Sequence, residues 1–296
     1  MSELLAYWAY ASAWKITKWL PARVSYGTFA WIADRLHKRN SGPVKRMRSN
    51  FARVRPELDA MELESLVHQG LRSYLRYWCD TFRLPSWSAQ ETMSNVIVEN
   101  EHLLRDPLAQ GRGLIVALPH AGNWDHAGAY FCASGAPLVT VAEHLKPEKL
   151  FRKFLAYRES IGMEVLDASA RSMGILSQRL RSNRLIALVA DRDLSRGGVE
   201  VEFMGGPSRF PAGPALLSIK TGAPLITAFV KYEERGIRII FEEEIAIPTI
   251  GDQSDKVSAM TQICADRFGR LITAHTEDWH MLQRIWIDGD FTERAS

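Results

Sequence analysis

The run Leu114-Ile115-Val116-Ala117-Leu118 constrains this chain more than any other stretch. Five apolar residues, two of them β-branched, are too few for an ordinary helix and read as a strand buried on both faces. Pro119 stops the run and His120 follows at once. Gly122 permits a tight turn, and Asn123 is a good N-cap for a helix beginning beside Asp125. Strand, turn and helix start in that order put the polar groups at the carboxyl end of a strand, where open α/β sheets bind ligands. An ordinary turn histidine and a first-turn acid favoured by the helix dipole would leave the same trace, so this stretch alone does not assign chemistry.

The remainder repeats the pattern. Val96–Val98, Leu138–Ala142 (ending at Glu143), Val165–Leu166, Leu185–Ala190 (ending at Asp191), Leu225–Val230 and Ile237–Phe241 read as strands. Residues 125–133, 147–160, 172–181, 211–221 and 256–274 read as the helices between and after them. Alternation of this kind predicts an α/β fold, a central, mostly parallel sheet flanked by helices. Before it, residues 43–83 are helical, with Pro56 as an interruption and Pro85 as the end. The stripe of Leu63, Leu66, Leu71, Tyr74, Leu75 and Trp78 recurs at helical spacing and reads as core. With no repeat, low-complexity tract or linker, a single domain over residues 1–296 with an N-terminal helical layer is expected.

Composition narrows the class. A hydrophobic content of 46% suffices for a sizeable core. The three cysteines, Cys79, Cys132 and Cys264, show no Cys-x-x-Cys spacing, so a disulfide framework or zinc site is not expected and a reducing compartment fits. No window approaches 18 consecutive apolar residues, and Ser2-Glu3 lacks the positive start of a signal peptide. The charge is uneven: residues 1–55 hold eleven lysines and arginines against Glu3 and Asp34, giving +9 in a chain whose formal total is +3. Trp8, Trp14, Trp19 and Trp31 lie in the same segment, with Leu4, Leu5 and Tyr7 opening an apolar surface and Lys15 and Lys18 following. Aromatic rings with cations on non-spanning helices suit an anchor of residues 1–40 on an anionic membrane surface. A core-packing helix or a subunit contact with a solvated basic face is the alternative. Nothing resembles a nucleic-acid recognition module.

Several chemistries fail on residues alone. The strand ending at Asp191 has a Walker B look, but no Gly-x4-Gly-Lys-Ser/Thr occurs. No Gly-x-Ser-x-Gly elbow supports a hydrolase serine. His120, Asp125 and His126 form no standard metal set, and His126 reads as a surface helix histidine. What remains is suggested by resemblance. His-Ala-Gly-Asn-Trp-Asp, with its His-x4-Asp spacing from His120 to Asp125, resembles the signature of the lysophospholipid and lipid A-type acyltransferases. Ala190-Asp191-Arg192-Asp193, Phe203-Met204-Gly205-Gly206, Phe210-Pro211-Ala212-Gly213-Pro214-Ala215, Thr221-Gly222-Ala223-Pro224 and Asp278-Trp279-His280 follow in that family's order. Thr140 to Glu148 and Tyr157-Arg158-Glu159-Ser160 are similar to the branch that acylates phosphatidylinositol mannosides. Met281-Leu282-Gln283 replaces the basic run typical of the lipid A branch.

The resemblance implies an O-acyltransferase with His120 as general base and Asp125 as its orienting partner. A thioester donor carries a good leaving group, so one base without a covalent intermediate suffices. Glu143 and Asp191, both ending apolar runs, are expected to emerge beside His120 at the same sheet edge. Acids at the matching positions accompany the histidine in the mannoside branch, and Arg158 matches an arginine lining that site, suited to hold one of these acids. Asn123 and His280 are further candidates for substrate contact, and Lys146, Arg192 and Arg209 for the donor phosphates. The implied donor is palmitoyl-CoA as co-substrate, with no cofactor or metal. The implied acceptor is a mannose 6-hydroxyl of a phosphatidylinositol mannoside at the cytoplasmic face of the plasma membrane. Another lipid acceptor, or a lipid-binding protein without activity, are the competing classes.

Overall fold

Two strands that never touch in sequence lie side by side at the centre of the sheet: β2 (Leu114–Leu118) and β5 (Leu185–Val189), paired in parallel. The computed structural model describes residues 12, 14, 16–142, 148–169, 171–193 and 197–288. Around the central pair stand β1 (Val96–Glu99), β3 (Leu138–Ala142), β4 (Glu164–Asp167), β8 (Leu225–Tyr232) and β9 (Ile237–Glu242). Their order is β1-β9-β8-β2-β5-β3-β4. All neighbours are parallel except β8 and β9, which form an antiparallel hairpin. The sheet is therefore mostly parallel, as the alternation predicts. A separate hairpin, β6 (Val199–Glu202) with β7 (Pro207–Phe210), lies outside it and was not expected from the sequence.

β2 explains why the sheet is covered on both sides. All five of its residues are buried. Ile115 and Ala117 join the core on one face, and Leu114, Val116 and Leu118 join the core on the other. The first face packs against α8 (Ser172–Arg181), α9 (Gly213–Thr221) and α10 (Gln253–Ala274). The second packs against α5 (His102–Ala109) and α6 (Trp124–Ala133), with α7 (Glu148–Ser160) following β3.

The N-terminal layer consists of α1 (Ala22–Arg39), α2 (Gly42–Val54) and α3 (Ala60–Arg83), followed by the short α4 (Ala89–Ser94). Asp59 starts α3 with a capping box, its carboxylate accepting from the Met61 and Glu62 amides at 2.8 Å. The expected stripe is core: Leu66, Leu71 and Leu75 are buried in it. Ile16, Trp19, Val24 and Trp31 point outward, with Trp19 82% and Trp31 59% exposed. Leu4, Leu5, Tyr7, Trp8 and Lys15 lie outside the described residues. Among the described residues no helix is long and apolar enough to cross a membrane.

Candidate active site

The register of β2 on β5 builds the site. Leu118 stands opposite Val189, so two residues further on, His120 meets Asp191. His120 Nδ1 and Asp191 Oδ1 are 2.5 Å apart. The other carboxylate oxygen accepts from the His120 amide and from the Trp279 indole N–H, each at 3.0 Å. Burial opposes ionisation of Asp191, but the His120 charge and these donors outweigh it and hold the carboxyl below the usual carboxylate range. An ionised carboxylate only accepts, so Nδ1 carries a hydrogen toward it, which makes Nε2 the lone-pair nitrogen of the neutral ring. The His120 side chain is 23% exposed and lines a cleft.

The turn after β2 has one allowed residue at its tightest point. Gly122 has φ +56°, and an added Cβ would lie 2.5 Å from the Val230 carbonyl oxygen. The segment after α10 straps this turn down. The Gly122 amide donates to the Asp278 carbonyl and the His280 amide to the His120 carbonyl, each at 2.8 Å.

Asp125 does not contact His120 in the way the spacing suggests. α6 begins at Trp124, and its first turn directs Asp125 elsewhere: Oδ1 accepts from Arg158 Nε at 2.9 Å and Oδ2 from the Tyr77 hydroxyl at 3.0 Å. The expectation that Asp125 orients His120 is therefore corrected in favour of Asp191. Arg158 likewise holds Asp125 rather than Asp191. Burial works against the Arg158 charge, and Asp125 more than compensates. Arg158 lines the same cleft, with Tyr77 stacked on Trp124 at a centroid distance of 4.2 Å.

Three further expectations change. Asn123 is fully buried with both amide ends engaged: its oxygen caps α6 by accepting from the His126 amide at 2.9 Å, and its nitrogen donates to Asp80 at 3.2 Å. It is a mount for the turn, not a cleft residue. Asp80 also accepts from Tyr26 of α1 at 2.6 Å and from Tyr232 at 2.9 Å. His126 is buried beneath α4, where its Nε2 donates to the Thr92 carbonyl at 2.8 Å and burial lowers its pKa. His280 is packed against the rings of Tyr74, Tyr77 and Trp124 and does not line the cleft. Ser73 donates its one hydroxyl hydrogen to Asp278 at 2.6 Å, so it accepts from His280 Nε2 at 2.9 Å. Burial, then the nearby His120 charge, push the His280 pKa down to about 3.

Of the proposed phosphate contacts, Arg192 lines the cleft and bonds Gln283. Arg209 sits in the β6–β7 hairpin, its Nη2 4.0 Å from Glu200, and does not line the cleft. Glu143 and Lys146 lie outside the described residues.

The cleft holds about 980 Å³ between the ends of β3 and β5, α7, α8 and the start of α9. Phe151, Phe154, Leu155, Leu176, Leu188 and Leu217 make most of its wall apolar. A narrow apolar chamber of about 70 Å³ lies between the sheet and α6, sharing the lining residues Trp124, Val141, Arg158 and Val189 with the cleft. Small residues (Ala127, Gly128, Ala187, Ala228) leave it open. Tyr77, Asp80, Ser73 and Trp279 escaped the sequence reading; only Trp279 stood in a motif, without a role.

A His–Asp pair at the strand ends, open to a largely apolar cleft, has the donor and acceptor atoms to exchange a proton with a bound group. The chain matches the bacterial lipid A biosynthesis acyltransferase family over residues 1–287 and belongs to it. Within reach of that family, it is similar to the phosphatidylinositol mannoside acyltransferase of Mycobacterium tuberculosis (strain ATCC 25618 / H37Rv), with 42% identity over 286 residues, 95% of this chain and 88% of that protein. It is also similar to the phosphatidylinositol mannoside acyltransferase of Mycolicibacterium smegmatis, with 41% identity over 293 residues, 97% of this chain and 93% of that protein.

Proposed function

We propose that this chain transfers a palmitoyl group from acyl-CoA to the mannose 6-hydroxyl of a phosphatidylinositol mannoside, with His120 as general base. The observation that carries the reading is the His120–Asp191 pair opening onto an apolar cleft. Similarity to two mannoside acyltransferases supports the choice of acceptor. His120 Nε2 takes the hydroxyl proton as the mannose oxygen attacks the thioester carbonyl. The tetrahedral intermediate collapses, the C–S bond breaks and the coenzyme A thiolate leaves, taking its proton from the imidazolium. Asp191 fixes the Nδ1–H tautomer and stabilises the imidazolium between these two transfers. Arg158 and Arg192 supply positive charge along the cleft for the donor phosphates. The apolar wall of the cleft suits the acyl tail, each buried methylene contributing about 0.8 kcal/mol, and the chamber of about 70 Å³, roughly two water volumes, suits the end of that tail.

Both substrates are amphiphiles, and the exposed Trp19 and Trp31 beside a basic segment suit work at an anionic cytoplasmic membrane surface. The test is incubation of the purified protein with palmitoyl-CoA and a panel of glycolipid and lysophospholipid acceptors. Thiol release and mass spectrometry of the products are followed together. A palmitoylated phosphatidylinositol mannoside is expected. Transfer only to a lysophospholipid, or no thiol release at all, overturns the reading.

A further inference from the structure

Trp279 is wholly buried, yet its indole N–H is spent on one atom, Asp191 Oδ2, at 3.0 Å. Two aromatic neighbours and a backbone bridge hold this residue in place. It lies edge-on to Phe203 and Trp286 at centroid distances of 6.2 Å each, and its backbone bridges Ala121 in the turn after β2. Trp286 is itself held by an indole bond to the Phe203 carbonyl at 2.7 Å. The donor is thus carried on a rigid aromatic block and aimed at the carboxylate that holds His120.

We infer that Trp279 is a positioning residue for acyl transfer: its indole N–H fixes the Asp191 carboxylate and draws off part of its negative charge, so that His120 is held as a neutral base. The inference rests on His120 being that base. Two effects follow from the geometry. Without the N–H, Asp191 keeps only the His120 amide on Oδ2 and is free to rotate away from the His120 ring. The N–H dipole also turns its positive end toward the carboxylate that pairs with the imidazole. Removing it favours the imidazolium, and a protonated ring cannot act as base. Among the described residues, the other charged and titratable groups around His120 are His280, whose amide bonds the His120 carbonyl, the Arg158–Asp125 pair of α7 and α6, Tyr77, which donates to Asp125, and Arg192 and Asp193, which line the cleft. A change confined to the indole leaves all of these in place.

The experiment compares the wild type with Trp279→Phe and with a benzothiophene analogue of tryptophan at the same position, which keeps the ring shape and replaces N–H by sulfur. kcat and KM are measured against pH with palmitoyl-CoA and a phosphatidylinositol mannoside. The His120 imidazole titration is followed by NMR in the same proteins. Expected are a kcat about tenfold lower near neutral pH, in line with the loss of one hydrogen bond to a charged group, and a KM within about twofold. The acidic limb of kcat and the His120 titration midpoint should both move upward by about half to one pH unit. If Trp279→Phe fails to fold, the sulfur analogue, nearly identical in shape, gives the same comparison. A folded variant with an unmoved limb and an unmoved midpoint overturns the inference. Failure of the base assignment looks different: His120→Ala then retains transfer, while the NMR midpoint still judges whether the indole acts on His120.

Discussion

Arg158 Nε donates to Asp125 Oδ1 at 2.9 Å, which takes the acid of the His-x4-Asp spacing away from the histidine. The signature thus contains two devices. His120 is bonded to Asp191, and Asp125 holds the arginine that lines the cleft.

That division has a direct test. Both members of the Asp125–Arg158 pair are largely buried, so removing one leaves an uncompensated charge, costing about 3–5 kcal/mol of stability. Asp125→Asn and Arg158→Gln are each expected to destabilise the fold, and the double variant to recover much of the loss. Urea denaturation of the four proteins measures this. In the same set, the acidic limb of kcat should stay where the wild type has it. Additive losses, or a limb moved by Asp125→Asn, would return Asp125 to the histidine.

Asp191→Asn should behave in the opposite way. The amide cannot accept from the His120 amide and the Trp279 indole while keeping an acceptor for Nδ1, so the tautomer is lost. A fall in kcat of about 10²- to 10⁴-fold is expected, the contribution of a positioned base, with the corresponding change in a serine protease triad at the upper end. The sign of the pH effect follows from the charge. Taking away the negative neighbour disfavours the imidazolium, so the residual activity should persist to lower pH and the acidic limb should move downward. A kcat–pH series decides it, with His120→Ala as the background.

Chain-length preference should be set at Gly128. It lines the apolar chamber, and an added Cβ there would come within 2.3 Å of Met163 Cε. Gly128→Val narrows the chamber, and each methylene that no longer fits forfeits about 0.8 kcal/mol, roughly fourfold in binding. The ratio of kcat/KM for palmitoyl-CoA to that for a twelve-carbon donor is expected to fall about tenfold or more. An unchanged ratio would mean that the tail lies outside this chamber.

Membrane contact is expected to run through the outward rings. Trp19 is 82% and Trp31 59% exposed, on a segment rich in cations. Trp19→Ser with Trp31→Ser should at least halve recovery on anionic vesicles in flotation, and salt should weaken what remains. Equal flotation of the parent and the double variant would make these rings a contact for another protein subunit instead.

The strand ends were legible because a fully apolar run that stops at a polar residue announces which sheet edge that residue occupies. His120 and Asp191 both carried that mark, and parallel pairing of β2 with β5 turned two marks into one contact. Asp125 was misjudged because nearness in sequence suggested nearness in space, whereas the first turn of α6 rotates it toward α3 and α7. Tyr77 and Arg158, 48 and 33 residues from it, leave no local trace of that meeting. His126 looked solvent-facing because nothing in its own helix records the cover that α4 supplies. The β6–β7 hairpin was hidden by its composition: Pro207 heads one strand, and charged residues alternate through the other.

Tyr26 and Asn123 share the carboxylate of Asp80, one from the N-terminal layer and one from the turn that carries His120. The two ends of the molecule's task are therefore fastened to a common peg. Cutting away the first 40 residues removes more than the proposed anchor: it also strips the Tyr26 donor from a buried acid whose remaining partners are Asn123 of the turn and Tyr232. A shortened protein that loses activity would thus report a loosened mount as readily as a lost membrane contact, and only substitutions on the outer face of the N-terminal layer keep the two apart.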